Sequence, residues 1–134
     1  MNSVKDIKLF EFPEFSDCKG NLVVIEGNKN IPFNIKRLFY IYGSDNNIIR
    51  GQHANKYSEF CFINIKGSSK IKIIDCYGKE DIINLNKPNI GLYLPAMIWK
   101  DMFDFSSDSI LLVLASEFYD NSEYIRNFDD FIKG

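Results

Sequence analysis

The stretch Arg50-Gly51-Gln52-His53-Ala54-Asn55-Lys56, followed by Phe60-Cys61-Phe62-Ile63-Asn64-Ile65 and a stop at Gly67-Ser68-Ser69, reads as β structure. Lys70-Ile71-Lys72-Ile73 then alternates polar and apolar residues, the pattern of a half-buried strand. Residues two apart on an extended strand share a face, so His53 and Asn55 are expected to point together into the interior. His53 is the only histidine in the chain and therefore the one side chain whose ordinary pKa suits proton transfer near neutral pH.

Working outward, further short β signals come in quick succession. Asn21 to Glu26 lies between Gly20 and Gly27, and Lys36 to Tyr42 ends at Gly43 and the turn-like Ser44-Asp45-Asn46-Asn47. Ile48-Ile49-Arg50 leads into the histidine segment. Cys76-Tyr77-Gly78-Lys79 has hairpin chemistry, and Asp81 to Leu85, Gly91 to Leu94 and Ile110 to Ala115 complete the set. Strands at this interval suit a sandwich or barrel. From Ser122 to Ile132 the apolar residues Tyr124, Ile125, Phe128, Phe131 and Ile132 recur at spacings of three and four, which predicts a short amphipathic C-terminal helix. No repeat or linker interrupts the chain, so residues 1–134 are expected to form one all-β domain with a helical tail.

Bulk properties exclude several functions. A net charge of -2 with scattered lysines leaves no electrostatic footprint for nucleic acid. No apolar run approaches the length of a membrane span, and no secretory leader pattern opens the chain. Cys18, Cys61 and Cys76 are odd in number and lack ligand-like spacing, which fits a reduced, cytoplasmic protein whose cysteines pack as small hydrophobes.

Gly51, His53, Asn55, Glu59 and Gly67 resemble the first motif of the cupin barrels, a glycine before a His-x-His pair, then a glutamate and a glycine. Gly91-Leu92-Tyr93-Leu94-Pro95 through Lys100 resembles the second, with Lys100 where a metal-binding cupin has its last histidine. Asn55 and Lys100 both depart from the metal pattern. One histidine and one glutamate are too few for a first-row metal, and a lysine aimed at the centre would repel a cation, so no metal is expected.

Within the cupins the likeness narrows. Ile31-Pro32-Phe33-Asn34-Ile35-Lys36-Arg37, Arg50-Gly51-x-His53-Ala54, Asn86-Lys87-Pro88, Trp99-Lys100-Asp101-Met102-Phe103-Asp104-Phe105, Leu111 to Ser116 and Tyr124-Ile125-Arg126 recur in order. From about Asp17 onward the chain closely resembles the nucleotide-sugar 3,4-ketoisomerases, which act on dTDP-4-keto-6-deoxyglucose. The resemblance implies a cupin-type jelly-roll barrel (RmlC-like), a homodimer and no cofactor. It also implies a reaction that moves the ketone from C4 to C3, supplying a 3-keto sugar for transamination to a 3-amino-3,6-dideoxy sugar.

The residues suit that chemistry. A base takes the C3 proton, donors stabilise the enediol and a proton returns to C4, with no oxidant because the two carbons exchange oxidation state. His53 is the candidate base, with Asn55 and Tyr40 as donors near the sugar. Arg50, Arg37 and Arg126, the only arginines, are the candidates for the pyrophosphate. Lys19, in a segment resembling the family's Asp-x-Arg-Gly, and Glu59, Trp99 and Lys100 are the remaining candidates for substrate contact. The chain departs from the family at Asn55, where a second histidine is usual, and at Phe60, where a polar residue is common. His53 working alone or with a tyrosine is one reading of this. A non-catalytic nucleotide-sugar-binding cupin, an epimerase of the same keto sugar and an engineered histidine-to-asparagine change are the others.

Overall fold

The computed structural model describes residues 1–133. Twelve strands are present: β1 (Lys8–Glu11), β2 (Glu14–Asp17), β3 (Gly20–Val23), β4 (Arg37–Tyr42), β5 (Arg50–Asn55), β6 (Phe60–Lys66), β7 (Ser69–Ile74), β8 (Glu80–Leu85), β9 (Ile90–Leu94), β10 (Trp99–Phe103), β11 (Ile110–Ala115) and β12 (Tyr124–Ile125). They form two five-stranded sheets, ordered β1-β9-β6-β11-β4 and β12-β5-β10-β7-β8, while β2 and β3 pair only with each other. Every pairing between named strands is antiparallel. This is the all-β jelly roll expected from the sequence.

The inner faces of the two sheets enclose one apolar core. Phe60, Phe62, Leu92, Leu94, Leu111 and Val113 come from the first sheet, and Ile71, Ile73, Leu85 and Met102 from the second. Alternate residues of the same strands form two outer layers. Cys61, Ile63, Tyr93 and Leu114 pack beneath Phe12, Ile31 and Phe33 of the N-terminal region, while Ala54, Ile74 and Trp99 pack against Phe131. Strand parity therefore decides which side chains reach the interior.

The C-terminal segment is more divided than its spacing predicts. In place of a helix from Ser122, a 3-10 turn (Asn121–Glu123) leads to β12, and the α-helix α1 spans only Phe128–Lys133. Tyr124 and Ile125 are taken up by the edge of β5, pairing with Asn55 and Ala54. Asn127 then caps the helix, its Oδ1 accepting from the Asp130 amide. Phe131 is fully buried against Trp99, at 5.8 Å between ring centroids.

Candidate active site

A cavity of about 230 Å³ opens at one end of the barrel between the two sheets. Its polar lining comes chiefly from Arg50 and His53 of β5, Lys100 of β10 and Tyr124 of β12. Phe39, Ile41, Phe60, Phe62 and Met102 supply apolar walls.

His53 is aimed by a local irregularity. Lys100 pairs with His53 and Asp101 with Gly51, so Gln52 is an extra residue on β5 and the ladder carries a bulge. Gly51 (φ 87°) and Gln52 (φ 58°) both adopt left-handed backbone. A Cβ on Gly51 would lie 2.9 Å from the carbonyl oxygen of Lys100, so the bulge demands glycine there. The turn brings His53 Nδ1 to 3.0 Å from the carbonyl oxygen of Gly51. A carbonyl only accepts, so Nδ1 carries the hydrogen and Nε2 keeps its lone pair. Burial, with a contribution from the charge of Lys100, lowers the imidazole pKa to about 4. The ring is thus neutral at pH 7 and able to accept a proton.

Lys100 is 3 % exposed. Its Nζ donates to Asn55 Oδ1 at 3.0 Å and sits 4.7 Å from the centroid of the Phe60 ring. Burial lowers its pKa to about 7, opposed by the nearby carboxylate of Glu123. Asn55 is itself buried, and its Nδ2 has no partner. Tyr124 places its ring 4.7 Å from that of His53, with the Arg126 guanidinium 4.7 Å from the centroid of the same tyrosine ring.

Arg37 starts β4 opposite Ala115, on the inward parity, beside the Phe39 and Tyr119 rings at 5.6 and 5.7 Å. Its Nε and one terminal nitrogen are buried without a partner. Arg126 is exposed and donates to Asn121 Oδ1 at 3.2 Å; it lines a second cavity next to Tyr124.

Four sequence candidates lie elsewhere. Tyr40 pairs with Leu112 on the outer parity, is 60 % exposed and stacks on Tyr42, so Phe39 and Ile41 take the inward places on β4. Although Tyr40 borders the cavity, its ring belongs to the outer face. Glu59 precedes the inward Phe60, and its carboxylate accepts from the Tyr93 hydroxyl in the outer layer. Trp99 has the opposite parity to Lys100 and is buried under α1, edge-on to Phe128 at 5.2 Å. It is a packing residue and not a stacking surface for a sugar. Lys19 stays in the exposed β2–β3 turn, where its amide donates to Asp17 Oδ1.

Two residues that sequence reasoning passed over shape the site. Glu123 is fully buried and accepts from the Tyr57 and Ser58 amides and the Ser58 hydroxyl, pinning the β5–β6 loop. Tyr124 stands in the sequence as one apolar position of a helical pattern and as part of the family-like Tyr124-Ile125-Arg126, with nothing to mark it as a neighbour of His53. Among the described residues, no three His, Cys, Asp or Glu side chains gather closely enough to hold a metal ion.

Comparison with known proteins bears on this arrangement. The family model described as "FdtA: WxcM-like, C-terminal" matches residues 5–134. The TDP-4-oxo-6-deoxy-alpha-D-glucose-3,4-oxoisomerase of Aneurinibacillus thermoaerophilus is 43% identical over 126 residues, 94% of this chain and 90% of that protein. A histidine-to-asparagine mutant of the 3,4-ketoisomerase QdtA from Thermoanaerobacterium thermosaccharolyticum, solved in complex with TDP-4-keto-6-deoxyglucose, superimposes with a TM-score of 0.94 at 42% identity. It covers 97% of this chain and 94% of its own. The WlaRB TDP-quinovose 3,4-ketoisomerase from Campylobacter jejuni gives 0.93 at 42% identity, covering 98% and 100%.

Proposed function

The chain belongs to the WxcM-like FdtA family, and from that premise we infer that it is an isomerase moving the ketone of TDP-4-keto-6-deoxyglucose from C4 to C3. The observation that carries the reading is the state of His53: a neutral ring with its Nδ1 hydrogen committed to Gly51 and its Nε2 free, in a cavity it shares with Arg50, Lys100 and Tyr124 and whose remaining walls are largely apolar. A base of this kind takes the C3 proton beside the C4 ketone. The resulting enediol lies among donors held in a poorly hydrated setting, where each is worth more than in water.

The remaining groups divide by position. Tyr124 and the Lys100–Asn55 pair stand at the sugar end, and the unpartnered Asn55 Nδ2 is a donor in want of an oxygen. Arg50 lines the mouth of the cavity. Arg37, with two buried donor atoms unpaired, suits the pyrophosphate, and Arg126 offers a further guanidinium near the mouth. The cavity is small beside the roughly 300–1,000 Å³ of drug-sized sites, so it suits the hexose while the nucleotide lies outside it.

A homodimer is part of the same reading. The β2–β3 hairpin bonds to neither sheet and exposes Phe15 and Leu22, and Leu9 is exposed on the edge strand β1. A second copy of the chain covering these residues would bury them. A cytoplasmic location is supported by three unpaired cysteines. The 3-keto product is the kind of carbonyl an aminotransferase converts to an amino sugar.

Incubating the protein with TDP-4-keto-6-deoxyglucose in D₂O and following the sugar by NMR tests the reaction. The reading predicts a C3 ketone with deuterium at C4. Exchange at C3 or C5 with the C4 ketone retained as the sole outcome would make the protein an epimerase; nucleotide binding without any exchange would make it a binding protein.

A further inference from the structure

Lys100 is an unusual tenant for a catalytic cavity. It is buried, takes part in no ion pair among the described residues, and has a neutral amide oxygen as its hydrogen-bond partner. One N–H goes to Asn55 and the Phe60 ring lies 4.7 Å away, which leaves donor capacity for a bound molecule. On β10 it is the register partner of His53, and both side chains line the same cavity.

The other polar groups at the cavity are the Arg50 guanidinium and the Tyr124 phenol. Beyond the cavity wall the charged neighbours are Glu123, committed to the β5–β6 loop, and Arg126, above Tyr124. Strand β4 adds the inward Arg37 guanidinium at its start, and the other core side chains that β4, β6, β7 and β11 turn toward this region are apolar.

Resting on the ketoisomerase reading, we propose that Lys100 is a second proton carrier, the acid that protonates C4 after His53 has removed the proton from C3. In the first step His53 Nε2 bonds to the C3 proton, the C3–H electrons become the C3=C4 bond, and the carbonyl electrons move to O4. The O3 proton passes to O4. Electrons on O3 then form the C3 carbonyl while the C3=C4 pair takes a proton from Nζ, breaking an N–H bond and leaving a neutral amine. Imidazolium and amine remain, and transfer of the proton from the first to the second restores both. Burial supports the cycle: it holds imidazole as the weaker base, near 4, and the amine near 7, so the resetting transfer runs downhill and the ammonium is present at neutral pH. Asn55 positions Nζ, and its amide orientation follows from that bond.

The test compares wild type, Lys100→Arg and Lys100→Met in D₂O, scoring deuterium incorporation at C3 and formation of the 3-ketone separately. In both variants C3 exchange persists, because His53 is intact, while 3-ketone formation falls by at least about 100-fold. Wild type loses kcat/KM as the pH rises through about 7, and the residual activity of Lys100→Arg lacks that limb, since a guanidinium does not titrate there. Equal loss of exchange and isomerisation in the variants, or loss of neither, overturns the proposal. A wild-type protein that binds the nucleotide sugar but neither exchanges nor isomerises it overturns the reaction itself, a result told apart because the unaltered protein fails.

Discussion

His53 Nδ1 lies 3.0 Å from the carbonyl oxygen of Gly51, two residues earlier on the same strand. The contact exists because Gly51 and Gln52 turn left-handed and insert one extra residue opposite β10. Backbone geometry thus selects the tautomer that leaves Nε2 free.

Gly51→Ala is expected to break this arrangement. A Cβ at a φ of 87° and 2.9 Å from the Lys100 carbonyl oxygen forces the bulge to relax. The cost is about 1–3 kcal/mol of stability. Turnover should fall by more than that loss explains, because His53 swings away from its acceptor. Chemical denaturation and kcat on the same preparation check both effects.

The buried lysine gives stability a characteristic pH dependence. Lys100 has its pKa lowered from 10.5 to about 7, so between these values the unfolded chain binds more protons than the folded one. Stability therefore rises with pH above about 7. Cys61, pushed up to about 12 by burial, acts in the opposite sense only above its ordinary value near 9. The clean window is pH 7 to 8.5. Urea midpoints should climb across it in wild type and flatten in Lys100→Met.

Glu123 holds the loop between β5 and β6 by accepting from two amides and a hydroxyl. Glu123→Ala leaves those donors without their acceptor and should cost about 2–4 kcal/mol. Glu123→Gln keeps an acceptor oxygen and should cost less. Thermal unfolding of the two variants ranks them.

What the sequence disclosed and what it hid have one physical cause. Composition and turn chemistry announce short strands, and the spacing of His53 and Asn55 places both inward. Which parity faces inward on the other strands depends on register with neighbours, and a shift of one residue reverses every assignment. The cupin resemblance implies an inward Lys100, and the side chain lines the cavity. Tyr40, Glu59 and Trp99 are each adjacent in sequence to the residue that faces inward: Phe39 or Ile41, Phe60 and Lys100. The bulge at Gln52 was hidden for a related reason, since a strand's own residues do not reveal which of them lacks a partner. At the C-terminus, helical spacing in Tyr124 and Ile125 gave way to an open strand edge.

Glu59→Gln is a control that separates the two faces of β6. Its carboxylate meets the Tyr93 hydroxyl outside the barrel, so the substitution should lower thermal stability slightly and leave kcat/KM within about twofold, in line with the modest net value of one hydrogen bond. A large loss of turnover would place Glu59 back at the sugar.

The most direct measurement is the rate at which C3 of TDP-4-keto-6-deoxyglucose loses its proton in D₂O, with wild type and with His53→Asn at matched occupancy of the nucleotide sugar. An asparagine fits the site but cannot take a proton. The account predicts rapid loss with wild type and a fall of about 10²–10⁴-fold with the variant while binding is retained. Undiminished exchange by His53→Asn would contradict it.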